Sequence, residues 1–258
     1  MNSDDSPADT IPAAVIILMR DSPNGMEILI LRKSSGKHFA SGALVFPGGK
    51  VADADIAFNG DIGETRNTRS TLKIAAIREM YEECGIALAR TPGASSLLDT
   101  TTIRKCEAAH EGAPLLELAT LVPLSLAADS LIRFAHWITP PSRPKRFDTH
   151  FFVAIAPPEQ MEPRVDGYEI VDSRWCKPHD LIKDFNCGTE KLVLPTLMNV
   201  MKLTEVNSAD EAIRLAHNQN IIPITPTLKK TPDGDRLVIP EAAGYGMTEI
   251  PTAMLRSA

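Results

Sequence analysis

Apolar runs and polar turn residues alternate along the N-terminal part of the chain. The segments "AAVIILM" (13–19) and "MEILILRK" (26–33) are rich in strand-forming residues. They are separated by "RDSPNG", whose Pro, Asn and Gly are typical of a turn. This pattern predicts a β-hairpin. We expect the next apolar segment, "ALVF" (43–46), to form a short strand that is broken by the following "PGG".

A second pattern, with helical periodicity, covers "STLKIAAIREMYEECGIAL" (70–88). At 100° per residue its apolar side chains form one stripe, and three acidic side chains fall together on the opposite side, within about 100° of arc. The stripe contains Ile74, Ile77, Tyr81 and Cys84, and the acidic group contains Glu79, Glu82 and Glu83. We expect Ser70 or Thr71 to cap the helix and Gly85 to end it.

The remaining segments predict an α+β protein. The polar residues 53–70 are expected to form a loop, and residues 91–128 an insertion of short helices. Three further strands and three further helices are predicted, at "SLIRFAHWITP", "FDTHFFVAIAP", "YEIVDSRW", "PHDLIKDF", "LPTLMNVMKL" and "ADEAIRLAHN". We therefore expect a disordered tail (1–10), one main domain (11–205) and a C-terminal helical and irregular extension (206–258) that packs on the domain.

The composition excludes several classes of function. Hydrophobic residues make up 43% and charged residues 23% of the 258 positions, and the formal net charge is −6; these values are ordinary for a globular protein. The chain has no Lys/Arg run of the kind that binds nucleic acid. Its four cysteines form no C-x-x-C pair, which argues against a zinc ribbon or a redox motif. Since no segment resembles a signal peptide or a membrane span, we expect a cytoplasmic protein that does not associate with membranes.

The acidic helix face suggests a chemistry of its own. Like charges at i, i+3 and i+4 repel, so such a face is either simply solvated or faces something positive. Carboxylate oxygens in this spacing converge, and Mg²⁺ is usually bound by a few carboxylates together with substrate phosphates. Gly48 and Gly49 would let the backbone approach a ligand closely and expose a carbonyl to an ion. Arg78 could hold a glutamate in its rotamer through a charge-assisted hydrogen bond.

These residues carry a family resemblance. The segment "REMYEECGI" (78–86), with Gly49 upstream, resembles the Nudix box of the Nudix hydrolase superfamily, G-x5-E-x7-R-E-U-x-E-E-x-G-U, where U is aliphatic. The second half of the box matches at every fixed position. The interval from Gly49 to Arg78 is about 15 residues longer than the pattern allows. The chain is therefore similar to the Nudix subgroup with an interrupted box, which includes acyl-CoA diphosphatases.

The resemblance implies a fold, a reaction and a set of site residues. The fold would be an α/β/α sandwich with a mixed β-sheet and extra helical insertions, and the domain would carry insertions at about 56–70 and 91–128. The reaction would be the hydrolysis of a pyrophosphate bond in a nucleoside diphosphate derivative, with Mg²⁺ or Mn²⁺. The implied metal ligands are Glu79, Glu82, Glu83, Gly48 and Asp55, and the implied catalytic residues are Glu82, Glu79 and Arg78. Substrate contacts are expected from Arg32, Gly49 and Glu169.

Several alternatives stay open at this point. The interrupted box leaves either Asp55 or Glu64 in place of its first glutamate, and we favour Asp55 because it lies six residues after Gly49. The general base is Glu82 or a carboxylate from a later loop. The substrate is expected to be CoA or acyl-CoA, with ADP-ribose or a dinucleotide as the alternative. A nucleotide-binding Nudix module without catalysis is a further alternative, and a homodimer is possible.

Overall fold

The computed structural model describes residues 9–35, 40–60 and 65–256. Most of the predicted N-terminal tail, and Glu64, therefore lie outside the described residues. Within them, no helix is both long and apolar enough to cross a membrane.

The first two strands form the predicted hairpin. Strand β1 (Thr10–Ser22) pairs antiparallel with β2 (Gly25–Lys33) through the residues next to the turn. The two short strands that follow are β3 (Leu44–Val45) and β4 (Gly48–Lys50). Strand β3 pairs with the end of β2, whereas β4 pairs with β1. The "PGG" segment is thus part of the main sheet and lies beside the first strand.

The segment 53–70, predicted to be a loop, begins with a helix. Helix α1 (Asp53–Asn59) is short, and Gly60 ends it in a left-handed conformation. The carboxylate of Asp55 accepts a hydrogen bond from the backbone N–H of Ala52, which satisfies a donor at the helix start. The sequence interpretation missed α1 because seven residues are too few to show an apolar stripe.

The acid-bearing segment is helical, as predicted. Helix α2 (Arg69–Cys84) ends at Gly85, which has a φ of 70°. Its N-cap is Thr68 rather than Ser70 or Thr71. Ile74, Ile77 and Cys84 of the apolar stripe are buried, and the helix packs on β1 and β4. The stripe thus fixes the rotation of the helix and directs its acidic face away from the core.

The rest of the chain adds short elements and completes the sheet. Its elements are β5 (Ala89–Arg90), α3 (Thr100–Ala109), α4 (Leu115–Leu121), β6 (Ser125–Leu126), β7 (Ile132–Ile138), β8 (Arg146–Ile155), β9 (Ile170–Cys176), α5 (Pro178–Asn186), α6 (Leu194–Leu203), α7 (Ala209–Asn218), β10 (Pro223–Ile224), β11 (Thr227–Lys229), β12 (Arg236–Val238), β13 (Glu249–Pro251) and α8 (Thr252–Arg256).

The main sheet of the described residues is mixed. Its central path runs β10-β7-β8-β1-β2-β3, with β4 also paired to β1 and β9 to β2. Strands β1 and β8 are parallel, as are β7 and β10, and the other pairs are antiparallel. The expected α+β fold with a mixed sheet is therefore confirmed.

Each face of the sheet carries its own hydrophobic core, because alternate residues of a strand point to opposite faces. Leu29 and Leu31 of β2 pack with α2 on one face. Ile28 and Ile30 pack on the other face, with residues of α5, α6 and α7. This arrangement is the predicted α/β/α sandwich. The division at residue 205 stays a prediction, although Tyr245 of the extension bonds Asn199 of α6.

Candidate active site

Arg78 lies at the centre of the acidic cluster. Its Nε and Nη2 donate to the two carboxylate oxygens of Asp55, at 2.7 and 3.0 Å. Its Nη1 lies 2.8 Å from Glu82 and 3.0 Å from Glu79. A further hydrogen bond runs from Nη2 to the backbone carbonyl of Lys50. One guanidinium therefore fixes two of the three helix glutamates and ties α2 to both α1 and β4.

The glycines of "PGG" touch the glutamates directly. A Cβ on Gly49 would overlap the carboxylate of Glu79. Gly48 has a φ of 149°, and a Cβ there would overlap the backbone of β1. Its N–H donates to Oε2 of Glu83 at 2.8 Å. Glycine is thus required at both positions, once for the approach of a carboxylate and once for the backbone.

The acids of this cluster outweigh their positive partners. Burial raises the pKa of Glu83 to about 8, against the hydrogen bond from Gly48. Burial also raises the pKa of Glu79, although the charge of Arg78 opposes this. Burial acts to lower the pKa of Arg78, but its hydrogen bond to Asp55 and the surrounding carboxylates outweigh that effect and raise it. The site therefore has a deficit of positive charge.

Asp55 does not occupy the position of a metal ligand in this arrangement. The residue is fully buried. One of its oxygens accepts from Arg78, and the other accepts from both Arg78 and the N–H of Ala52. In this structure Asp55 orients Arg78 and accepts a hydrogen bond at the start of α1, and its role as a metal ligand stays a prediction.

The structure separates Arg32 from the glutamates. Its guanidinium bonds the buried Glu190 at 2.8 and 2.9 Å, on the face of the sheet that packs against α5 and α6. Lys33, the next residue, lies on the α2 face, and its Nζ is 2.8 Å from Oε1 of Glu169. The charges of Lys33 and Glu169 both act on the pKa of Glu83, in opposite directions. Lys33 therefore borders the site where Arg32 was expected to.

The three helix glutamates are near one another but not fully converged. In the described part of the chain, just one set of three possible ligand groups has all its atoms within 4.8 Å of one another, and it is His136, Asp148 and His150. The glutamates do not meet this criterion because Arg78 holds two of them and Gly48 the third. They would need small side-chain rotations to share an ion.

The histidine cluster is closed by its own hydrogen bonds. Arg133 Nη2 lies 3.2 Å from Nδ1 of His136, and a guanidinium can only donate. The proton of His136 is therefore on Nε2, which donates to Asp148 at 2.5 Å. His150 stacks on His136 with ring centroids 3.9 Å apart. A metal on Nε2 would displace this proton and put an N–H against Arg133, so the cluster suits a structural role better.

The sequence interpretation missed the histidine cluster as a feature of this face. The alternation in "FDTHFF" places Asp148 and His150 on one face of a strand, which could have been noticed. The partnership with His136 depends on the register of β7 and β8, where His136 lies opposite His150. A single sequence carries no signal for that register.

Comparisons with known proteins agree with this geometry. A family model described as the NUDT19 Nudix domain matches residues 59–203, more than half of the chain. A crystal structure of a Nudix hydrolase from Alicyclobacillus acidocaldarius superposes with a TM-score of 0.68 and 25% identity, covering 80% of this chain and 96% of that chain.

Two curated proteins are similar in sequence. The putative nudix hydrolase 7 of Caenorhabditis elegans is 25% identical over 187 residues, which cover 71% of this chain and 57% of that protein. The acyl-coenzyme A diphosphatase NUDT19 of Gallus gallus is 23% identical over 263 aligned residues, which cover 80% of this chain and 70% of that protein. The chain thus spans little more than half of the first relative. From the family model, the fold and the Arg78 cluster together, the chain belongs to the Nudix hydrolase family.

Proposed function

We propose that this chain hydrolyses the pyrophosphate bond of a nucleoside diphosphate derivative, with Mg²⁺ or Mn²⁺ as cofactor. The observation that carries the proposal is the Arg78 cluster, in which Glu79 lies against Gly49 and Glu83 against the N–H of Gly48. This places the carboxylates of one helix directly against a glycine turn.

The donor set fits a hard divalent cation. The residues that would hold it are Glu79, Glu82 and Glu83, together with the carbonyl of Gly48, and all of them offer oxygen. The charge balance supports the fit, because Arg78 alone pairs with three carboxylates, those of Asp55, Glu79 and Glu82. A bound ion would supply further positive charge, offset the charge of the pyrophosphate and acidify the attacking water.

The chain's own residues would position the reaction. Arg78 restricts the rotamers of Glu79 and Glu82. The conformational entropy of these side chains is therefore already lost before the substrate binds. The side chain of Glu82 is 41% exposed and that of Glu79 is 19% exposed. The more exposed Glu82 is therefore the better candidate for orienting or deprotonating water. Gly49 would let the substrate approach the glutamates, and Glu169 would act at the rim.

CoA or acyl-CoA is the first candidate for the substrate. Support comes from the interrupted box and from the relative named acyl-coenzyme A diphosphatase. A substrate panel tests the proposal: CoA, acetyl-CoA, ADP-ribose, NADH and diadenosine tetraphosphate, each with Mg²⁺ and with Mn²⁺, followed by product identification. We expect 3′,5′-ADP and a 4′-phosphopantetheine product from CoA.

The panel also separates the alternatives. A higher kcat/KM for ADP-ribose or a dinucleotide than for CoA would mean that CoA is not the preferred substrate. The proposed reaction class, pyrophosphate hydrolysis, would still hold. Absence of turnover on every compound, with nucleotide binding retained, would indicate a non-catalytic binding module and contradict the proposal.

A further inference from the structure

Lys33 lies on the same side of the sheet as the glutamates. It continues the series Leu29 and Leu31, which packs against α2, and its strand partner Ile170 belongs to the same core. The register between β2 and β9 shifts between Arg32 and Lys33. The side chain of Lys33 is 22% exposed, so its ammonium is reachable from solvent near Glu83.

The only partner of the ammonium among the described residues is weakly held. Nζ of Lys33 contacts Oε1 of Glu169 at 2.8 Å, and the side chain of Glu169 is 68% exposed. Such an exposed ion pair contributes little to stability and exchanges easily with solvent. An ammonium has three donors, so at least two N–H groups of Lys33 are free for another acceptor.

The backbone around this pair is fixed even though the pair is exposed. Oδ1 of Asp166 accepts hydrogen bonds from the N–H groups of Tyr168, Glu169 and Ile170. The carbonyl of Glu169 accepts from the N–H of Ser34 at 2.9 Å. The turn that carries Glu169 is therefore tied to the end of β2, and the position of Lys33 is defined before a ligand arrives.

Arg78 and Lys33 differ in what they can offer a substrate. Arg78 is almost buried, and its donors are used by Asp55, two glutamates and a carbonyl. Lys33 has free donors on the opposite side of Glu83. A diphosphate beside the glutamates has non-bridging oxygens that need donors beyond the metal ions.

We propose that the ammonium of Lys33 is a substrate-binding group that donates a hydrogen bond to a non-bridging oxygen of the diphosphate at the glutamates. This inference rests on the proposed function. In the absence of substrate, Glu169 keeps the side chain of Lys33 extended by accepting one of its hydrogen bonds. When the phosphate binds, that N–H of Lys33 can donate to the phosphate instead. The assignment replaces Arg32, whose guanidinium is on the opposite face.

The test compares Lys33→Met, Lys33→Arg and Glu169→Gln with a matched control, Lys183→Met, which removes one exposed lysine from α5 on the other face. The probe is α,β-methylene-ADP, which cannot be hydrolysed at the α,β bridge, in the presence of Mn²⁺. Binding is measured by isothermal titration calorimetry, and kcat and KM are measured on the best substrate of the panel.

We expect the Kd of the probe to rise about 30-fold in Lys33→Met, in line with the loss of a charge-assisted hydrogen bond. Lys33→Arg should restore it to within about threefold, and Lys183→Met should leave it unchanged. Glu169→Gln should bind the probe at least as tightly as the wild type, because the competing carboxylate charge is gone. Urea midpoints should stay the same in all four variants.

A structural role for the pair makes a different prediction. It requires Lys33→Met and Glu169→Gln to weaken binding or lower the urea midpoint equally, and that result would overturn the inference. A wild-type chain that turns over a panel substrate while Lys33→Met matches Lys183→Met would also overturn it, with the proposed function intact. A chain that neither turns over the panel nor binds the probe would remove both.

Discussion

The histidine cluster and the glutamate cluster occupy the same row of the main sheet, but they differ in their balance of positive and negative charge. The register places His136 opposite His150, His150 opposite Ala14 and Ala14 opposite Gly49. Since cross-strand partners share a face, the histidine cluster and the glutamates above Gly49 are on one side. The backbones of His150 in β8 and Gly49 in β4 are about 10 Å apart, which is two strand spacings, because β1 lies between the two strands.

The two clusters differ in whether their carboxylates have enough positive partners. In the histidine cluster Arg133 donates to His136, which donates to Asp148, and the hydrogen bond from His136 lowers the pKa of Asp148. The glutamate cluster has more acids than Arg78 can neutralise, and burial raises the pKa of Glu83. Proximity of ligand atoms alone would select the histidines as a metal site. Charge balance selects the glutamates.

Removal of one glutamate should have the largest effect. We expect Glu83→Gln to lower kcat/KM by about 10³-fold, because an amide lacks the negative charge that would hold the divalent cation. The matched variant His150→Gln, at the other cluster, should stay within about threefold of the wild type. Steady-state kinetics on the best panel substrate measures both. If kcat/KM fell equally in Glu83→Gln and His150→Gln, the two clusters would not differ in function as the account requires.

Removal of the carboxylate that pairs with Arg78 should mainly affect stability. Asp55→Ala should lower the free energy of unfolding by about 3 kcal/mol, because it leaves a nearly buried guanidinium without its strongest partner. Asp53→Ala, in the first turn of the same helix but with a side chain that is 87% exposed, should change it by less than about 1 kcal/mol. Urea denaturation followed by circular dichroism provides the numbers. A metal-ligand role for Asp55 would instead show as lost Mn²⁺ affinity at unchanged stability.

A methyl group on the glycine turn should produce an intermediate effect. Gly49→Ala places a Cβ on the carboxylate of Glu79, so the glutamate must move by about 1 Å and kcat/KM should fall about 30-fold. The fold should persist, since a side-chain rotation relieves the overlap. Kinetics and a urea midpoint measured together distinguish this from unfolding, and full activity would show that Glu79 needs no fixed position.

The histidine cluster should appear in the pH dependence of stability. Burial is the main cause that lowers the pKa of His150 to about 4 from 6.5. Above pH 6.5 the imidazole is neutral in both states. Below pH 6.5, His150 is protonated in the unfolded chain but stays neutral in the folded chain until about pH 4. The free energy of unfolding should therefore fall as the pH falls through this window.

The expected loss between pH 6.5 and 4.5 is about 2 kcal/mol, after allowance for partial exposure of the ring. His150→Gln should flatten the urea-midpoint profile in that window and leave the profile above pH 7 parallel to that of the wild type. An unchanged slope would mean that His150 titrates normally in the folded protein.

Local patterns in the sequence were sufficient for much of the fold. The hairpin and α2 were predicted because their apolar periods extend over many residues and end at turn residues such as Gly85. The fixed spacing of Arg78, Glu79, Glu82 and Glu83 pointed to the cluster before any coordinates were considered. Both predictions rest on residues close together in the chain, where spacing alone determines which side chains share a face.

Long-range pairing was not accessible in the same way. The sequence did not reveal the contact between Asp55 and Arg78, because the two residues are 23 positions apart across an interrupted box. It did not decide between Arg32 and Lys33, because both faces of β2 are apolar and the strand alone does not show which face meets α2. Helix α1 was missed because seven residues are too few to show a helical period. Each failure concerns a contact that only the packed sheet and helices create.

The most direct test of the central claim is a count of bound Mn²⁺ by electron paramagnetic resonance in three proteins: the wild type, the Glu79→Gln/Glu83→Gln double variant and the His136→Gln/His150→Gln double variant. We predict that the wild type and the histidine variant bind Mn²⁺ alike and that the glutamate variant loses it. Retention of Mn²⁺ in the glutamate variant together with its loss in the histidine variant would contradict the account.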